Sequence, residues 1–192
     1  IVPIRVEEDP RVTGIHAGEA GHDPVGFLRV ETVAGPAIAA FTSAQSLGAY
    51  DPNARPMALS FRRLALAALV ESAGKVIVDP SSRDILIPRS ATSALAQGDH
   101  WLPAWKDQEL RDLLFRQAQD ECSSIIDLSV EYAGMGVCRV SLVIDPQAVE
   151  EADRAQLRER VLRTIDVLNS NKRLRAVADD IQWVPRWGTV AG

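Results

Sequence analysis

Cysteine and histidine are scarce in this sequence: 192 residues carry two Cys and three His. No C-x-x-C and no H-E-x-x-H occurs, so neither a structural zinc site nor a zincin-type centre is expected. G-x-G-x-x-G and G-x-x-x-x-G-K-[ST] are both absent, which removes the loops whose amides cradle nucleotide phosphates. No G-x-S-x-G elbow is present. Serines are plentiful, but a nucleophile needs a base within hydrogen-bond reach, and spacing assembles no Ser, His and acid into a triad. The expectation is a protein without cofactor, metal or catalytic residue, and not an enzyme.

A basic surplus is also missing. The net charge is −5, which argues against a partner that is nucleic acid or an anionic membrane surface. No apolar run is long enough to span a bilayer; the longest, around Leu64–Val70, reads as a core helix. The chain begins at Ile1 rather than Met, so its true start is expected upstream. Its first residues are too short and too β-branched for a signal peptide. Cys122 and Cys138 flank an expected hairpin centred between Gly134 and Met135, with Cys138 opposite about Glu131. That register keeps the two thiols apart, predicts no disulfide, and fits a reducing cytoplasm. Both read as small buried hydrophobes.

What is present is ordinary globular material, 46% hydrophobic and 24% charged, and long enough for two small domains. Residues 1–6 read as a strand. Residues 7–25 are acidic and rich in Gly and Pro; they read as a loop in which His16 and His22, with Glu19 and Asp23, lack the rigidity of a metal shell. Phe27–Val33 and Ala37–Phe41 alternate as a hairpin around a Gly35-Pro36 turn, with Phe27, Leu28, Val30 and Val33 inward. Thr42 with Gln45 makes a capping-box pattern for a short helix over Ser43–Tyr50. Ser60 caps a helix over Phe61–Ala73, and Gly74 suits a left-handed end. Lys75–Asp79 reads as a central strand and Asp79-Pro80-Ser81-Ser82 as a turn. Asp84–Pro88 reads as a strand with Ile85 and Ile87 on one face, and Ser90 as the cap of a helix ending at Gly98.

A connector with one proline and two tryptophans, 99–106, places a domain boundary, giving domains 1–103 and 104–192. The second domain reads as a helix over 104–120, then strands at Ser123–Tyr132 and Val137–Ile144. On the first strand Ile126, Leu128, Val130 and Tyr132 face inward. Asp145 with Pro146 opens a long helix striped by Val149, Ala152, Leu157, Val161, Ile165 and Leu168. Asn169–Arg175 is a basic break before a last strand, Ile181–Trp187. The expected class is α+β: two small lobes, each a mixed or antiparallel sheet covered by helices, the second compatible with an antiparallel sheet.

Four places invite a functional reading. The Asp79-Pro80-Ser81-Ser82 turn follows a central strand, where open sheets bind ligands, so its hydroxyls and amides could hold a small polar group. The stronger reading is that Asp79 and Ser81 bond the turn's own backbone. Thr42 and Ser43 sit at a helix start that attracts carboxylates, or else simply cap it. His100 beside Trp101 could meet a ligand, but a boundary Trp usually packs an interface. Asn171–Arg175 could meet an acidic partner, or be a solvated helix end.

The residues also carry a resemblance. Ile38-Ala-Ala-Phe-Thr-Ser43 with Leu47, Arg55-Pro56, Leu64–Ala73, Val76-Ile-Val-Asp-Pro-Ser-Ser82, Ile85-Leu-Ile-Pro88 and Leu95-Ala-Gln-Gly98 together resemble the N-terminal domain of the SseB family, named for enhanced serine sensitivity. The Phe-Thr-Ser and Val-Asp-Pro elements look most like its actinobacterial branch, and 104–190 is similar to the family's C-terminal domain. The resemblance implies a soluble cytoplasmic protein with no established enzyme activity, and carries over no functional residues. The reading that follows is a binding or regulatory module acting through an unknown protein partner, with Trp101, Trp105, Trp183 and Trp187 at an interface and a homodimer possible. The alternative is a sensor of an amino acid or other carboxylate, with Thr42, Ser43, Asp79, Ser81 and Ser82 lining its site. A further alternative is an undescribed enzyme pairing Asp79 with His100.

Overall fold

The computed structural model describes residues 1–6, 25–147 and 153–188. His16, His22, Glu19 and Asp23, and the stripe positions Val149 and Ala152, lie outside the described residues. The chain is α+β, with sheets packed against helices. It divides into two compact units, Ile1–Asp99 and His100–Gly192.

In the first unit, β1 (Val2–Val6) pairs antiparallel with β2 (Val25–Phe27) and β5 (Arg55–Met57), in the order β2-β1-β5. A second sheet runs β3-β4-β6-β7, made of β3 (Arg29–Thr32), β4 (Gly35–Ala40), β6 (Val76–Val78) and β7 (Ile85–Ile87). Its inner pair, β4 and β6, is parallel, and both outer pairs are antiparallel. Consecutive residues alternate between the two faces of a sheet, so the burial of Ala37–Phe41 and of Val76 and Ile77 means that both faces of β4 and β6 are covered. Between β4 and β6 come α1 (Ala44–Tyr50), β5 and α2 (Phe61–Glu71); α3 (Arg89–Gln97) follows β7. Leu64 and Ala68 of α2 share one core with Val2, Ile38, Ala40 and Val76.

Several local expectations for this unit need correction. Phe27–Val33 is not one strand: Phe27 belongs to β2 and Arg29 to β3, with Leu28 buried between them. The hairpin turns at Val33–Ala34, not at Gly35-Pro36. The Thr32 hydroxyl donates to Gly35 O (2.7 Å) and accepts from Ala34 N (3.1 Å), closing the loop earlier. Val33 is therefore at the tip and 92% exposed rather than inward. β7 does alternate as expected, with Ile85 and Ile87 on one face and the buried Leu86 on the other; Ile85 is 48% exposed and Ile87 packs on the core. Ser90 lies inside α3, whose N-cap is Pro88. Ser60 does cap α2, accepting from Arg63 N. Gly74 has φ +80, and a Cβ there would sit 2.8 Å from Arg89 Cγ, so only Gly fits both the angle and the approach.

In the second unit, a 3-10 turn (Ala104–Lys106) leads into α4 (Gln108–Glu121), capped by Asp107. β8 (Ile125–Tyr132) and β9 (Val137–Ile144) form an antiparallel hairpin. Then come α5 (Arg154–Asn169), α6 (Lys172–Val177) and β10 (Asp180–Trp187). The sheet order is β10-β9-β8, and β10 runs parallel to β9. The sheet is mixed, because α5 and α6 form a crossover that returns the chain to the starting end of β9. Leu110, Leu114 and Ala118 of α4 and Leu157, Val161 and Leu168 of α5 enter one core with β8 and β9.

Here too the details moved. Cys138 stands opposite Tyr132, one residue from the expected Glu131, because the turn is centred on Met135. Gly134, Met135 and Gly136 all have positive φ there, and Ala133 N donates to Val137 O. Both cysteines are buried and free. A bulge between Ile125 and Asp127 puts Ile125 in the core instead of Ile126. Pro146 does not open a helix: the Asp145 carboxylate accepts from Gln147 N in a local turn, and α5 begins at Arg154. The basic break holds a helix, α6, because Asn171 caps it and Leu174 is fully buried.

Candidate functional site

In the first unit the sequence points to Thr42, Ser43, Asp79, Ser81 and Ser82. The structure joins Thr42 to Asp79 across the parallel strand pair. Thr42 N donates to one Asp79 carboxylate oxygen (2.9 Å) and the Thr42 hydroxyl to the other (2.7 Å). Thr42 is therefore not the helix cap; Ser43 is, accepting from Ser46 N at 3.0 Å. The backbone of Asp79 is equally committed. Its N–H donates to Ala40 O, and its carbonyl accepts from the amides of Ser82, Arg83 and Asp84. The Ser81 amide is taken by the Asp84 carboxylate (2.8 Å). These bonds hold Asp79, Ser81 and Asp84 at φ +49°, +65° and +49°, a left-handed conformation that costs each non-glycine residue roughly 1 kcal/mol or more.

The hydrogen bond from Thr42 N, above all, keeps the Asp79 carboxyl below its ordinary range, against the opposing effect of burial. Its charge is thus stabilised by the fold's own donors. Beside the turn lies a cleft of about 290 Å³ lined by Gln45, Ser46, Ala49 and Tyr50 of α1 and by Pro80, Ser81 and Ser82. Ser81 and Ser82 line it, whereas Thr42, Ser43 and Asp79 do not. Among the described residues, its lining includes serines and a tyrosine but no charged side chain.

In the second unit the four expected tryptophans separate. Trp105 packs between Trp101 (ring centroids 5.8 Å apart) and Tyr132 (4.9 Å). Tyr132 was expected inward; it is 48% exposed because its ring covers Trp105 instead. Trp183 packs on the core. Trp187 pairs with Ile144, while Tyr132 pairs with Cys138, so these rings mark opposite ends of β9, roughly 20 Å apart at strand rise. Trp187 borders a groove of about 420 Å³ between α5 and β10. Among the described residues, its lining includes three arginines, Arg154, Arg158 and Arg186, and no carboxylate. Leu157, Val161 and Ile144 form a buried floor, and Leu162 and Trp187 are 52% and 54% exposed.

Two candidates remain, His100 and the basic segment. His100 is exposed, and both Asp79 oxygens are engaged by Thr42. In the basic segment, Arg173 contacts both Asp107 oxygens (2.9 and 2.8 Å) and Glu109 (3.3 Å). That bond to Asp107 raises the pKa of Arg173 further. Asn171 donates to Gln117 (2.8 Å). Among the described residues, no group of three or more His, Cys, Asp or Glu could hold a metal ion. No helix among them is long and apolar enough to cross a membrane.

Sequence reasoning missed Arg154, Arg158, Leu162 and Arg186. A signal was present: Arg154, Arg158 and Leu162 recur at four-residue spacing, beside the buried stripe of the same helix.

No curated protein matches this chain, and no solved structure matches it. Residues 1–94 match the family model of the SseB protein N-terminal domain, with no branch of the family distinguished. In residues 1–94, all within its first unit, the chain is therefore similar to the SseB protein N-terminal domain.

Proposed function

We propose that this chain is a non-catalytic binding module that acts through protein–protein interaction. The observation that carries this reading is the groove between α5 and β10, where exposed Leu162 and Trp187 stand within a rim of arginines. An apolar centre with a polar rim, enriched in Trp and Arg, is the anatomy of a protein interface. The SseB family is not known as catalytic, in keeping with this reading. We further take 104–192 as the family's C-terminal domain, the actinobacterial branch as its kin, and the cytoplasm as its place.

The test is affinity purification of the whole chain beside a Trp187→Ala variant, followed by mass spectrometry. A stoichiometric partner held by the parent and lost by the variant supports the reading. The absence of any partner from both rejects it.

A second reading, a sensor of amino acids or other carboxylates, rests on the cleft beside α1, lined by Ser46, Ser81 and Ser82, of which the Ser82 hydroxyl donates to Asp79 O (3.1 Å) and the Ser46 hydroxyl meets that of Ser43 (2.8 Å). A thermal-shift screen with amino acids and metabolites decides it. A compound that raises Tm in the parent but not in a Ser81→Ala/Ser82→Ala variant supports it; no shift with any compound removes it.

A further inference from the structure

We propose that the α5–β10 groove receives a short acidic peptide segment of the partner protein, one that places a large apolar side chain between carboxylates. This rests on the interaction reading above and names the chemistry of its partner. The chain as a whole carries −5, yet the described residues that line this groove include Arg158 and Arg186 and no carboxylate. Arg158 and Arg186, one on each wall, are exposed. Guanidinium forks of this kind pair with carboxylates through charge-assisted hydrogen bonds. Between the cations, Leu162 and Trp187 leave apolar surface uncovered. A volume of about 420 Å³ is near the small end of the roughly 300–1,000 Å³ seen for ligand pockets. It has room for a few side chains, not for a folded surface.

The mode of recognition also follows. β10 is an edge strand, so strand addition would be the simplest way to bind an extended peptide. Gly188 N donates to Ile144 O at 3.1 Å. By alternation, the amides of Arg186 and Val184 also face β9, and the Pro185 nitrogen faces the open edge. That position has no N–H to offer, which blunts the edge against ladder pairing. Recognition then falls to the side chains of the groove.

The experiment is fluorescence anisotropy on the whole chain with a short labelled peptide that alternates Glu with Leu and Phe. A matched peptide carrying Lys in place of Glu is the control. The expected result is saturable binding of the Glu peptide alone, weakened by salt and weakened about tenfold or more by Arg158→Glu combined with Arg186→Glu. Both positions are exposed, so the double variant should keep the parent's melting curve. Leu162→Ser, which changes no charge, serves as a second variant and should weaken binding as well. Equal binding by parent and variants, binding of the Lys peptide, or no binding overturns the proposal. Binding of dodecanoate without binding of the peptide overturns it in favour of an anionic amphiphile. A dimer in sedimentation velocity that the double variant abolishes overturns it in favour of a second copy. A partner that still binds the double variant defeats the groove proposal while leaving the interaction reading intact.

Discussion

Asp79 shows how one residue can look like a site and act as a joint. Both carboxylate oxygens accept from Thr42, and its own amide and carbonyl are bonded on either side. Asp79→Ala would leave the Thr42 amide without its acceptor and should cost about 1–3 kcal/mol in chemical denaturation. Because the folded pKa is lowered, the ionised carboxylate contributes stability at every pH above its unfolded value, near 4. That contribution is lost as the pH falls through the folded value. The gap in stability between parent and Asp79→Ala should therefore be constant near neutrality and close in acid below about pH 4. A gap that stays open there would contradict the bonding described. Cys138 is the second residue with a clear expectation. Burial pushes its thiol up to about 11, so a thiol reagent at neutral pH should label it only at the rate of unfolding, not in the native state. The turn around Asp79 was legible as Asp-Pro-Ser-Ser. Its partner Thr42 was not, because 37 residues of chain separate donor from acceptor.

At the scale of elements, periodicity named most helices and strands, and their ends were set by caps that compete. Thr42 and Ser43 are both competent caps; Ser43 prevails because Thr42 is claimed by Asp79. Ile125 and Ile126 are equally suited to a strand interior, and only the bulge decides which is buried. Asp107 caps α4 by accepting from Leu110 N and also receives Arg173 from α6. Asp107→Ala should lower stability by about 1–2 kcal/mol through the lost cap alone. Asp107→Asn keeps an acceptor for Leu110 N while removing the charge. Comparing the two melting curves, together with the salt dependence of each, separates the cap from the ion pair; if they coincide, the cap contributes nothing.

At the scale of the molecule, each unit has its own apolar core, one around Ile38, Leu64 and Val76 and the other around Leu114, Leu142 and Leu168. A fragment spanning 100–192 contains all of the second core and its three-stranded sheet. It should unfold as a single cooperative transition in denaturant, with a slope suited to its smaller size. A broad, non-cooperative loss of signal would mean that the second unit does not fold on its own. The same fragment retains the α5–β10 groove, so peptide binding can be followed on it once its folding is established.

The sequence alone determined the α+β class and the resemblance of the first half to the SseB N-terminal domain. Those properties reside in composition, periodicity and contiguous motifs, which need no long-range information. The tertiary structure decided the rest. It divided the first unit's strands between two sheets and ran β10 parallel to β9 through a helical crossover. It also spent Asp79 on Thr42 and left Trp187 exposed beside Arg158 and Arg186. Each of these depends on which distant segments meet, and local pattern carries no record of that. Trp187 was visible as a tryptophan near the end of the sequence; only the return of β10 alongside α5 gave it an arginine rim.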